Sequence, residues 1–150
     1  MSSFAVDWSG AKNPNNKIWI AQADRGTLIS LEPQRLRSDA VIKVIRHLRS
    51  QKNGVTGLNF GFSLPLWFCS DNCISSVFDL WSLAEREGER LLRDCCWPFW
   101  GRPGKTKPQL EAHYRKTEKN VAQKLGFKPK SIFQIGGAGA VGTGSIRGMP

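Results

Sequence analysis

Apolar and polar positions divide the chain into elements with different periods. Phe4-Ala5-Val6 is a short apolar run that ends at Asp7 and a Ser9-Gly10 turn, which predicts a buried strand whose last carboxylate sits where the backbone leaves the sheet. Lys17–Gln22 and Thr27–Leu31 are β-rich runs separated by Asp24-Arg25-Gly26, and with the first strand they predict an antiparallel meander. Val41, Val44, Ile45 and Leu48 then fall at i, i+3, i+4 and i+7, the spacing of one helix face. Ser38 is placed to cap that helix and Asn53-Gly54 to end it, with Lys43, Arg46 and Arg49 outward and His47 as a solvated surface histidine. The run from Val55 to Leu64 predicts a strand broken at Pro65. Strand, helix, strand predicts that it lies parallel to the first through a right-handed crossover over Ser38–Lys52, with Asn59 facing the same site as Asp7.

Downstream, Ser70-Asp71 is placed to start a longer helix that buries Ile74, Val77, Phe78, Trp81 and Ala84 and reaches Leu91-Leu92. Trp97 to Lys105 mixes Trp97, Phe99 and Trp100 with Pro, Gly and the cations Arg102 and Lys105, the composition of a loop. Those rings either stack on a nucleic acid or staple the loop to the core. Pro108 is placed to open a third helix through Leu110, Tyr114, Val121 and Leu125, stopped by Gly126, with His113 on its polar face. There Glu111 and Arg115 are i, i+4 partners, which leaves Glu118 the freer acid. Ser131–Ile135 predicts a strand and Gly136–Ser145 a glycine-rich tail.

Charge changes the picture more than size does. At 150 residues the chain has the length of one domain. Its 22 basic residues against 12 acidic ones leave a net charge of +10 and a pI near 9.9, which makes a polyanion such as nucleic acid the expected partner. No apolar run has the length of a signal-peptide core or a membrane span, so the expectation is a cytoplasmic protein with no membrane partner. The four cysteines are expected to be reduced, and neither Cys69-x-x-x-Cys73 nor Cys95-Cys96 has structural-zinc spacing.

Two places carry candidate chemistry. Asp7 either caps its turn through the amides of Ser9 and Gly10 or ligates a metal, because a buried carboxylate needs a partner. Gly137-x-Gly139-x-x-Gly142 follows an expected strand as in dinucleotide-binding loops, but no acidic residue lies downstream. Its amides could still cradle a phosphate, with Thr143, Ser145 and Arg147 beside it.

Five ordered motifs carry a resemblance: Phe-Ala-Val-Asp-Trp-Ser-Gly-Ala at 4–11, Gly-Leu-Asn-Phe-Gly-Phe-Ser-Leu-Pro at 57–65, Phe-Trp-Gly-Arg-Pro-Gly at 99–104, Arg-Lys-Thr-Glu at 115–118 and Phe-Gln-Ile-Gly-Gly-Ala-Gly-Ala-Val-Gly-Thr-Gly-Ser at 133–145. Together they resemble the family called domain of unknown function 429, regarded as RNase H-like nucleases. The resemblance implies an α/β, RNase H-like fold over a single domain, residues 1–150. In it a three-stranded antiparallel meander is continued by parallel strands with crossover helices, and the C-terminal part is missing. It also implies a metal-dependent nuclease using Mg²⁺ or Mn²⁺, in which Asp7 is the metal ligand and Asp7, Asn59 and Glu118 form the catalytic set. Ser9, Arg102, Lys105, Arg115, Thr143 and Ser145 would contact the substrate. Where the family usually has Asp, this chain has Asn59, whose neutral oxygen attracts Mg²⁺ less. The alternative is a non-catalytic nucleic-acid-binding domain derived from such a nuclease.

Overall fold

The structure, a computed structural model, describes residues 2–51, 53–109, 111–127 and 129–150. The chain is mixed α/β and forms two compact units, Met1–Asn59 and Phe60–Pro150. In the first unit, β1 (Ser2–Asp7), β2 (Ile18–Asp24) and β3 (Thr27–Gln34) make the expected meander. A helix, α1 (Arg37–Ser50), then returns the chain to β4 (Val55–Leu58), and the sheet order is β3-β2-β1-β4. β4 pairs parallel to β1, with Val6 opposite Leu58. This places Asp7 and Asn59 side by side one residue beyond that pair.

Alternation sorts the sheet into two faces. Phe4, Val6, Ile18 and Ile20 are buried on one, whereas Trp19 and Leu31 are exposed on the other. The hydrophobic face of α1 departs from the expected one. Ala40 and His47 are buried, while Val41, Ile45 and Leu48 are 42%, 42% and 49% exposed. His47 is therefore not a surface histidine: its ring stacks on Phe4 at 4.1 Å and 12°. Gly54 accommodates this, since a Cβ there would come within 2.9 Å of the Gln51 Cβ and 3.2 Å of the His47 Nε2. The start of α1 also shifts. Leu36 takes the cap position, its N–H donating to the Asp39 carboxylate at 3.2 Å, and Ser38 lies within the first turn. Lys52, the expected end of the helical segment, lies outside the described residues.

The second unit is helical. The helix expected from Ser70 is two helices, α2 (Leu66–Asp71) and α3 (Val77–Asp94), separated by a turn in which Cys73 has a φ of 55°. Ser76 caps α3, accepting from the Asp79 N–H at 3.1 Å while the Asp79 carboxylate accepts from the Ser76 N–H at 2.9 Å. The buried stripe of α3 is Leu80, Ala84, Gly88 and Leu92, so Val77 and Phe78 face solvent instead. The expected third helix begins later as well. Glu111–His113 is a single 3₁₀ turn and α4 spans Lys116–Leu125, capped at its end by Gly126 with a φ of 71°; Leu110 lies outside the described residues. The four cysteines are free.

Ser131–Ile135 does not form a strand. All five residues are buried, and this run meets the Trp97–Lys105 loop through two hydrogen bonds, Trp100 N–H to the Phe133 carbonyl and Ile135 N–H to the Trp100 carbonyl. Gly101 and Gly136 make that approach possible, since a Cβ on Gly136 would lie 2.0 Å from the Gly101 carbonyl oxygen. Phe68, Phe99 and Phe133 form the aromatic centre of this unit, with centroids 5.3 to 6.4 Å apart. The glycine-rich tail is partly helical, as α5 (Gly142–Gly148).

Candidate functional site

At the C-terminal end of β1, Asn59 closes the strand with both halves of its amide. Its Nδ2 donates to the Asp7 Oδ1 at 2.5 Å, and its Oδ1 accepts from the Trp8 N–H at 2.6 Å. The Asn59 backbone N–H adds a bond to the Val6 carbonyl at 3.4 Å. A carboxylate could replace the second role but not the first, because it carries no donor for Asp7. The turn beyond Trp8 is tied down separately. Ser9 Oγ accepts from the Ala11 N–H at 3.1 Å, and the Arg37 guanidinium donates to the Ser9 and Ala11 carbonyls. Asp7 itself is exposed, so the burial expected to force a charged partner on it is not there.

Glu118 is a closed group rather than a free acid. It is 7% exposed, and its Oε1 accepts from Nε and Nη2 of Arg115 at 3.1 and 2.7 Å. Its Oε2 accepts from the Arg115 N–H at 2.7 Å, so the pair forms the start of α4. The guanidinium also donates to the Ser63 carbonyl at 3.0 Å and Oγ at 3.3 Å. Arg115 thus pairs with Glu118, three residues onward at the turn where the helix begins; the side chain of Glu111, the partner expected for it, lies outside the described residues.

Thr143 and Ser145 bond within the second unit. The Thr143 hydroxyl donates to the Ile135 carbonyl at 3.0 Å. The Ser145 hydroxyl, fully buried, donates to the Val141 carbonyl at 2.9 Å and accepts from the Gly61 N–H at 2.9 Å. Arg147 lies 2.6 Å from Glu89.

Pro98 and Phe99 are buried and anchor the Trp97–Lys105 loop, while Trp97 stays 61% exposed beside Trp67, 5.2 Å away. Arg102 and Lys105 are exposed at the ends of a tight turn in which the Lys105 N–H donates to the Arg102 carbonyl at 2.9 Å.

Comparison with known protein families, with curated proteins and with solved structures finds no match.

Sequence reasoning missed one feature. Between 102 and 130 stand Arg102, Lys105, Lys107, Arg115, Lys116, Lys119, Lys124, Lys128 and Lys130, opposed only by Glu111 and Glu118. Counting charge along the chain instead of over the whole of it would have found this run. Arg102, Lys105, Lys107, Lys116, Lys119, Lys124 and Lys130 are exposed, and Phe127 is exposed among them. Lys107 lies over the Tyr114 ring at 5.4 Å, and its charge adds to a downward shift of the nearby His113 imidazole. Burial is the larger cause, pushing that imidazole below its ordinary value. His113 is completely buried rather than on a polar face, against Phe133 at 5.8 Å, and neither ring nitrogen has a partner among the described residues.

The oxygens expected to hold Mg²⁺ or Mn²⁺ do not fit that task. Asp7 offers one carboxylate already accepting from an amide, Asn59 has its oxygen on a backbone N–H, and Glu118 is neutralised by Arg115. Among the described residues no three His, Cys, Asp or Glu side chains converge as a metal-binding group. No described helix is long and apolar enough to cross a membrane.

Proposed function

We propose that the chain is a nucleic-acid-binding domain of RNase H-like descent that holds its ligand by charge and stacking without metal-dependent hydrolysis. The observation that carries this reading is the run of exposed cations from Arg102 to Lys130, with the exposed Trp97 and Phe127 in the same unit. Lysines and arginines neutralise phosphates and release counterions, and an exposed indole offers a face to any base. The meander β1–β3 followed by a parallel β4 supports the RNase H-like descent, as does the resemblance in motifs.

A nuclease is the second reading, favoured by the meeting of Asp7 and position 59 at the ends of adjacent parallel strands. Chemistry separates the two. In a metal-dependent nuclease both positions would be carboxylates drawn together by cations, whereas here the amide hydrogen of Asn59 occupies the space between them. The test is fluorescence titration of labelled single-stranded, duplex and branched DNA and of RNA, with a cleavage assay in Mn²⁺ on the same samples. Binding weakened by Arg102→Ala with Lys105→Ala, with no cleavage, supports the proposal. Cleavage abolished by Asp7→Ala would establish the nuclease instead, and no binding to any of the four would remove both.

A further inference from the structure

The orientation of α1 is physically expensive. A helix on a sheet ordinarily turns its apolar stripe inward, since burying aliphatic side chains removes their surface from water. Here Val41, Ile45 and Leu48 face solvent, and Lys43, Arg46 and His47 line a cavity of about 380 Å³ between the helix and the sheet. Phe4 and Ile20 line it from the sheet side, with Gln22 and Ser30 beside them. The volume falls in the range of small-molecule sites, which are concave, partly apolar and fitted with a few polar groups.

The polar groups point to one ligand chemistry. Arg46 has no carboxylate partner among the described residues, and a guanidinium fork suits a phosphate bidentately. Lys43 pairs with Glu32, which also lines the cleft; the pair is exposed and worth little, and the ammonium, with three donors, can hold a ligand anion while keeping Glu32. Gln22 and Ser30 supply neutral donors and acceptors for hydroxyl or amide groups. His47, 6% exposed in the cavity wall, has an Nε2 without a hydrogen-bond partner among the described residues.

We propose that this cleft binds a small phosphate monoester, a sugar phosphate or mononucleotide, with the phosphate on Arg46 and Lys43 and the polar body against Gln22 and Ser30. It lies wholly within Met1–Asn59, while the nucleic-acid reading rests on the other unit, so either can fail without the other.

The two histidines of the chain provide the readout. The full chain is titrated with ribose 5-phosphate and with AMP, and with ribose and adenosine as uncharged controls, while the imidazole resonances of His47 and His113 are followed by NMR. A saturable shift of His47 and not of His113, with a Kd below ~1 mM for an ester, is expected. Arg46→Ala should weaken binding by at least ~10-fold and Arg49→Ala should leave it unchanged. Arg46 is exposed, and Arg46→Gln, which keeps most of its stem, provides a second variant with the same expected loss. No saturable His47 shift up to ~10 mM ester, an equal response to the uncharged controls, or undiminished binding by the folded Arg46 variants would overturn the proposal.

Discussion

Replacing Asn59 by Asp removes the amide donor that ties position 59 to Asp7 and puts a second negative charge in its place. The bond lost, Nδ2 to Oδ1 at 2.5 Å, is charge-assisted and would be worth about 1.5–3 kcal/mol if buried. Both side chains are exposed, which discounts it to about 1 kcal/mol. Two carboxylates in this position add repulsion of about 1 kcal/mol at 4 Å in water and about 4 kcal/mol at an effective dielectric of 20. The bond from the Trp8 N–H survives, because a carboxylate oxygen accepts it as well as the amide oxygen does. In chelator, urea unfolding of Asn59→Asp should therefore show a loss of roughly 2–5 kcal/mol. A divalent cation would relieve that repulsion, so Mn²⁺ should raise the midpoint of the variant and leave that of the unmodified chain where it is. Equal stabilisation of both by Mn²⁺, or no stability difference in chelator, would refute the assignment of Asn59 as a bridging amide.

Three further outcomes follow from the geometry. Burial, helped by Lys107, lowers the folded-state pKa of His113, so the unfolded chain binds the proton more readily; stability should be full above the ordinary histidine range and fall as pH drops through it toward the lowered value. Urea midpoints at pH 8 and pH 5.5 should show that slope reduced in His113→Leu, and an undiminished slope would assign it elsewhere. Glu118→Gln leaves the largely buried Arg115 guanidinium without its counter-charge and should cost about 3 kcal/mol in thermal or chemical unfolding, whereas a loss below ~1 kcal/mol would mean the pair is screened as if exposed. Gly136→Ala forces a Cβ to within 2.0 Å of the Gly101 carbonyl oxygen and should cost at least ~3 kcal/mol or prevent folding of the second unit; a near-native circular dichroism melt would contradict that approach.

The first unit was largely legible from sequence because its signals are local. Alternation and turn residues marked β1, β2 and β3, and the length of the intervening helix set β4 parallel to β1. Periodicity located α1 but chose the wrong face, since spacing tells which residues share a stripe and not whether that stripe meets the sheet. In the second unit an apolar run misled in the same way. Ser131–Ile135 is buried on all sides, and a short buried apolar run reads alike as strand, helix or turn. The pairing of Asp7 with Asn59 followed from the register, whereas the closing of Glu118 by Arg115 depended on where α4 starts. Helix starts are poorly marked when the capping residue is neither Ser, Thr, Asp nor Asn, as at Leu36 and Arg115.

The proposed nucleic-acid binding is tested most directly by the salt dependence of affinity for a labelled duplex, compared between the unmodified chain and a chain carrying Lys116→Ala, Lys119→Ala and Lys124→Ala. Duplex binding through phosphates gives a log–log slope of about −0.9 for each one neutralised. The expected result is a steep negative slope for the unmodified chain and a slope shallower by roughly 2–3 for the triple variant, with both proteins equally folded. Binding that is insensitive to salt, or a triple variant with the slope and affinity of the unmodified chain, would contradict the account.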